Sequence, residues 1–176
     1  MYFPSYIFAL CLCLPALAQT SSANTTYLTV PALVTTPQNT TAIQCWRLKH
    51  SPFAVTSQAG ITGSRVATVS NATNVAYIIQ PPRFNGGLHR APVPQLVHFI
   101  AGLAHVTLPQ DSSQELWLVG GRGGLVIAAD TTGEGHITMY PSDQETVTIT
   151  APFAGGVVPE HEVLKEGPCD GLQTFM

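Results

Sequence analysis

The chain has 176 residues, of which 45% are hydrophobic and only 10% charged, with a formal net charge of −3. That length suits one domain with a substantial core, and the abundance of apolar residues excludes an intrinsically disordered chain. With seven Lys and Arg in all, no basic face exists to hold a polyphosphate backbone, so nucleic acid is not an expected partner.

The first element is a leader. An apolar run from Ile7 to Leu14 is followed by Pro15-Ala16-Leu17-Ala18 and then Gln19, a small-residue cleavage site that predicts a signal peptide over 1–18. The run is shorter than the roughly 20 residues a spanning helix needs, so no membrane association is expected after cleavage. Two of the four cysteines, Cys11 and Cys13, leave with the leader. Cys45 and Cys169 remain in an oxidising compartment, where one disulfide is expected between them. Sequons at Asn24, Asn39 and Asn71 predict surface glycosylation. The expected destination is the exterior or the secretory lumen.

Residues 19–41 are rich in Thr, Ser, Asn and Pro and read as an extended arm or edge strand ahead of a domain over 42–176. Strand-like runs then recur: Ile43–Leu48, Phe53–Thr56, Ser64–Val69, Val75–Gln80, Leu96–Ala101, Ala104–Leu108, Glu115–Val119, Leu125–Ala129, His136–Tyr140 and Thr146–Ala151. Clusters of Gly, Pro, Asn and Asp separate them, as expected of short antiparallel strands. Thr146 to Thr150 alternates threonine with Val147 and Ile149, the pattern of a half-buried strand. No window sustains a helical period, although Pro159–Lys165 suits one short helical turn. So many strands in one domain must close on themselves or stack as two sheets. The expected class is all-β, a single-domain barrel or jelly roll.

The stretch Gly87-Leu-His89-Arg90-Ala-Pro92-Val-Pro94-Gln95-Leu-Val-His98-Phe-Ile-Ala-Gly102 resembles the first half of a cupin domain, and Gly123-Gly124-Leu-Val-Ile-Ala-Ala-Asp130-Thr-Thr-Gly133-Glu-Gly135-His136 resembles its later segment. The tail from Val158 to Cys169 is similar to the ends of small secreted cupin-like proteins of filamentous fungi. The resemblance implies a cupin-like β-barrel, and the departures from it bear on chemistry. Metal-binding cupins use H-x-H, a following Glu and a later His. Here His89-Arg90-Ala91 has no second histidine in place, no Glu lies between Ala91 and Gln110, and only His89 and His136 survive of the set. Two imidazoles without a carboxylate suit iron or manganese poorly, so neither metal nor other cofactor is expected.

Within this class the chain resembles the hetero-Diels–Alderases of tropolone sesquiterpenoid biosynthesis in fungal secondary metabolism, which join a tropolone quinone methide to a humulene-type alkene. The resemblance implies a hydrophobic small-molecule substrate and a pericyclase that needs a proton donor, hydrogen-bond donors to the heterodiene and an apolar cavity. A non-catalytic secreted ligand-binding or surface protein is the rival reading. The oligomeric state stays open, a homodimer included.

The candidate catalytic residues are Arg90, His89 and His98. A guanidinium can bind a tropolonate oxygen, and an imidazole titrates near the working pH. Both faces of Gln95–Ile100 are largely apolar, so Gln95 or His98 should line a cavity, the other reading of His98 being a structural histidine. His105, His136, Trp117 and Tyr140 join Gln95 as candidate substrate-binding residues, each with core packing or a structural role as its plainer reading. No G-x-S-x-G element is present. Asp130, Glu134, Asp143 and Glu145 fall in turn-like segments where carboxylates are ordinarily solvated, and Gly120–Gly124 reads as a hairpin turn.

Overall fold

The computed structural model describes residues 25–170. The signal segment, the sequon at Asn24 and the first residues of the expected arm lie outside this range. The described chain forms thirteen strands. In order they are β1 (Tyr27–Thr35), β2 (Thr41–Pro52), β3 (Ala54–Val55), β4 (Arg65–Val66), β5 (Ala76–Gln80), β6 (Asn85–His89), β7 (Gln95–Ala101), β8 (Leu103–Thr107), β9 (Glu115–Val119), β10 (Leu125–Ala128), β11 (His136–Met139), β12 (Thr146–Pro152) and β13 (His161–Glu166). A single 3-10 turn, Ala154–Gly156, precedes β13. The protein is all-β, as its composition and punctuation imply.

The strands divide among separate sheets rather than closing into one barrel, which corrects the expected closure. A seven-stranded sheet runs β13-β2-β1-β10-β7-β12-β5, a four-stranded sheet runs β6-β11-β8-β9, and β3 pairs with β4. The edge at β13 is blunted instead of abolished. β13 carries Glu162, Lys165 and Glu166 and a register shift after Val163, and charge and irregular pairing both discourage further strand addition. The pairing of β1 with β10 is parallel, a departure from the antiparallel expectation.

Side chains of alternate parity from the seven-stranded sheet enter two cores. Leu33, Ile43, Phe99 and Val126 meet Val106 and Leu118 of the four-stranded sheet. On the opposite face Val30, Trp46, Leu48, Ile127 and Phe153 form a second cluster. β1 contributes to both and is buried from Thr29 to Leu33. It is thus a central strand and not an arm. Its Thr and Pro content masks the run Val30 to Val34, which is apolar on both faces because both faces are covered. Pro31 sits one residue before the pairing with β10 begins at Ala32, a place where a missing backbone N–H is tolerated.

The segment expected to turn helically, Pro159–Lys165, instead supplies β13. Its partners on β2 explain the choice. The His161 ring stacks on Trp46 at 3.5 Å and 8°, Glu162 pairs with Arg47, and Gln44 Nε2 donates to Glu166 at 3.1 Å. Cys169 follows and is bonded to Cys45, the expected disulfide. Cross-strand contacts of this kind outweigh the weak local helical preference.

In β12 the threonine face points inward: Thr146 and Thr148 are 0% and 1% exposed, while Val147 and Ile149 are half-buried. The inward hydroxyls are satisfied. Thr146 Oγ1 exchanges hydrogen bonds with the Leu103 backbone at 3.3 Å, and Thr148 Oγ1 accepts from Gln80 Nε2 at 3.1 Å. Buried polar groups with partners in this way are tolerated, and here Thr148 and Gln80 line part of a cavity.

Candidate functional site

Between the two large sheets lies a cavity of about 150 Å³. Its apolar lining includes Leu33, Val97, Phe99, Val106 and Val126. Its polar lining includes Gln80, Thr138, Thr148, Thr150 and Tyr140. His89, Arg90, Gln95 and His136 complete the lining. His89 and Arg90 are exposed, so they stand at the mouth. A shallow depression of about 370 Å³ that shares His89 and Arg90 lies outside, flanked by Leu88 and Glu134.

His136 is the best-held polar group of the cavity. It is 5% exposed and its Nδ1 lies 2.6 Å from Oδ2 of Asp130, which is fully buried. A carboxylate oxygen here accepts from Nδ1–H, which fixes the tautomer and leaves Nε2 as the second ring nitrogen. Pairing of β6 with β11 sets His89 opposite His136, with ring centroids 4.5 Å apart and planes tilted by 59°. His89 Nδ1 donates to the Gly87 carbonyl at 3.0 Å, so its Nε2 is also uncommitted to backbone.

The close approach of these strands depends on Gly135. Its φ is +79°, and a Cβ there would come within 2.3 Å of the His89 carbonyl oxygen and 3.1 Å of Arg90 Cγ. Gly135→Ala is expected to destabilise the fold by roughly 1–3 kcal/mol through strain and overpacking. Thermal unfolding measures this, and an unchanged midpoint would show that β6 and β11 are not held in this register.

Two further buried acceptors, Gln80 Oε1 and Asp130 Oδ1, have no hydrogen-bond partner among the described residues. Burial pushes the Tyr140 hydroxyl above its ordinary pKa, and a hydrogen bond from Gln80 draws it partway back. Tyr140 therefore stays a neutral donor across the physiological range. The ring packs against Phe84 and Phe99.

Of the residues singled out from sequence, the structure brings His89, Arg90, Gln95, His136 and Tyr140 to one cavity. His98 is not among them. It alternates with Val97 and Phe99 and so points out of the cavity face, where its Nε2 donates to the Gly121 carbonyl at 3.0 Å, the structural role. His105 and Trp117 stack on each other across β8 and β9, also outside this cavity. Asn39 and Asn71 are exposed. Asp130 was expected to be a solvated turn carboxylate and is instead the buried partner of His136. Gln80, Thr148 and Thr150 were not singled out either. The signals were the Asp130-x5-His136 spacing across a glycine turn and the unbroken threonine face of β12.

Among the described residues no three His, Cys, Asp or Glu side chains converge as a metal-binding group, and no helix is long and apolar enough to cross a membrane. Comparison with known families, characterised proteins and solved structures returned no match to this chain.

Proposed function

We propose that the intersheet cavity binds one ring of a hydrophobic, oxygenated small molecule, and that the chain acts there as a hetero-Diels–Alderase on a tropolone quinone methide and a humulene-type alkene. The observation that carries this reading is the His136 imidazole, backed by buried Asp130 and lining a cavity with both polar and apolar residues. A volume near 150 Å³ suits a single ring, since a cavity of about that size accommodates benzene. The tropolone then occupies the interior, and the larger alkene approaches through the depression at His89 and Arg90.

The chemistry needs no oxidant. The hydroxymethyl C–O bond breaks with its electron pair, the leaving oxygen takes a proton from Nε2 of His136 in its imidazolium form, whose Nδ1–H stays on the Asp130 carboxylate, and departs as water, and the ring hydroxyl releases its proton to Nε2 of His89 or solvent. Arg90 and the Tyr140 hydroxyl donate to the ring oxygens and polarise the heterodiene. Cycloaddition then consumes the alkene π bond and forms one C–C and one C–O bond. We read the two facing sheets as a cupin-like jelly roll, and the disulfide together with exposed Asn39 and Asn71 supports a secreted glycoprotein.

The test is to incubate the chain from Gln19, made in a secretory host, with a hydroxymethyl tropolone and humulenol in the presence of a chelator. The expected result is accelerated, stereochemically biased adduct formation. His136→Ala should lower the rate by about 10²–10⁴-fold, the usual contribution of a positioned proton donor, while His98→Ala should leave it near wild type. A second reading, a binding protein without turnover, is favoured by one observation: the cavity is smaller than the roughly 300–1,000 Å³ of most ligand sites. Binding of the tropolone with no rate above the protein-free control would select that reading.

A further inference from the structure

At the opposite edge of the four-stranded sheet, beside β9, lies a larger hollow of about 430 Å³. Its walls come from separate parts of the chain. β9 contributes Trp117, β1 contributes Pro31, and the tail contributes Pro168 and the bonded Cys169. The turn before β9 adds Ser113 and Gln114, and β9 itself adds Glu115. Among the described residues no Lys, Arg or His lines it.

The aromatic wall is rigid. Trp117 is 48% exposed, yet its indole lies against the His105 ring at 3.9 Å and 7°. His105 Nε2 donates to Glu115 at 2.7 Å, and the Trp117 indole donates to the same carboxylate, the two bonds together holding Glu115 below its ordinary pKa. A half-exposed tryptophan fixed by a stack and a shared carboxylate is a ready platform, because a ligand that lies on it need not order it.

The polar wall is also set in advance, and it presents acceptors. The Ser113 hydroxyl and Gln114 Nε2 both donate to the Asp111 carboxylate. The Ser113 hydroxyl proton is spent in this way, so Ser113 Oγ offers lone pairs, while Gln114 keeps a second N–H on Nε2 and lone pairs on Oε1. Gln114 Oε1 is buried and has no partner among the described residues. Glu115 adds carboxylate lone pairs. A ligand for this hollow must bring hydroxyl donors and an apolar C–H face for the indole. Phosphates and carboxylates bring neither the donors nor a cation-free welcome.

We propose that the hollow bordered by Trp117, Gln114 and Glu115 is a binding site for a neutral sugar unit of a glycan, distinct from the His136 cavity. The sugar ring lies on the indole, and adjacent hydroxyls donate to Gln114 Oε1, Ser113 Oγ and Glu115. An aromatic wall beside a carboxylate also suits an organic ammonium ion. Here Glu115 already accepts from two donors, and one aromatic wall is not a cage, so the acceptor row favours hydroxyls.

The experiment titrates the folded, disulfide-bonded chain with hexasaccharides of β-1,3-glucan, chitin and mannan, and with choline, following tryptophan emission and heat. The chain has two tryptophans, and Trp46 is only 2% exposed, so the emission change reports Trp117. At least one hexasaccharide is expected to shift the emission and release heat. Trp117→Ala should weaken binding at least tenfold, Trp117→Phe should retain part of it, and Gln114→Ala should weaken it several-fold with unfolding midpoints held. Absence of binding to all three hexasaccharides, tighter binding of choline than of any of them, or undiminished binding by a folded Trp117→Ala chain would each overturn the proposal.

Discussion

Replacing Asp130 with alanine is expected to lower stability by about 3–5 kcal/mol, the loss typical of removing one member of a buried pair, which shifts the thermal midpoint by roughly 10 °C in a chain of this size. The cause is local. Asp130 is fully buried and His136 is 5% exposed, so truncation leaves an imidazole N–H without acceptor in a place water does not reach. Asp130→Asn keeps the shape and one acceptor, and its loss should be smaller. Asp143→Ala is the control: Asp143 pairs with Arg83, but the two side chains are 69% and 75% exposed, and such surface pairs contribute about 0–1 kcal/mol. Chemical denaturation of the three variants checks this ranking. An Asp130→Ala chain as stable as Asp143→Ala would mean that the imidazole is not held by the carboxylate, and the proton-donor role of His136 would go with it.

How far this site can be read from sequence depends on which physical signal each residue leaves. His89, Arg90 and His136 sit beside glycines and prolines that mark turns, and a polar side chain entering a strand from such a turn is visible as a candidate. Asp130 leaves the same mark as any turn carboxylate, because its partner is formed by tertiary folding around Gly133 and Gly135. The alternation in β12 is legible and its sense is not: hydrophobicity places Val147 and Ile149 inside, whereas the fold turns Thr146 and Thr148 inward, where Leu103 and Gln80 satisfy them. β1 was hidden by composition, since a strand covered on both faces shows a run and no alternation. β13 was hidden because its strand state depends on β2, and nothing within Pro159–Lys165 announces Trp46. His98, Trp117 and His105 illustrate a further limit. Period-two alternation says that residues share a face, and only the sheet arrangement says which face encloses the cavity.

Loss of the Cys45–Cys169 bond is the other large expected effect. The two residues are 124 apart, and in the chain-entropy model closing a loop of that length stabilises the fold by about 5 kcal/mol. Cys45→Ala with Cys169→Ala is the suitable pair, because Cys45 is 4% exposed and alanine introduces no buried hydroxyl there. The denaturation midpoint should fall and the m-value should rise, since the uncrosslinked unfolded chain exposes more surface. A loss under about 1 kcal/mol would contradict the entropic account and mean that the denatured chain is little constrained by the bond. The position of the bond gives the same variant a second readout. The tail residues Pro168 and Cys169 border the hollow at Trp117, and beyond β13 they are tied to β2 by the disulfide and by the Gly167 N–H, which donates to the Ile43 carbonyl at 2.7 Å. If that wall matters for a sugar, the double alanine chain loses hexasaccharide binding at temperatures where it remains folded, while adduct formation at His136 persists, because the cavity between the sheets draws no lining residue from the described part of the tail.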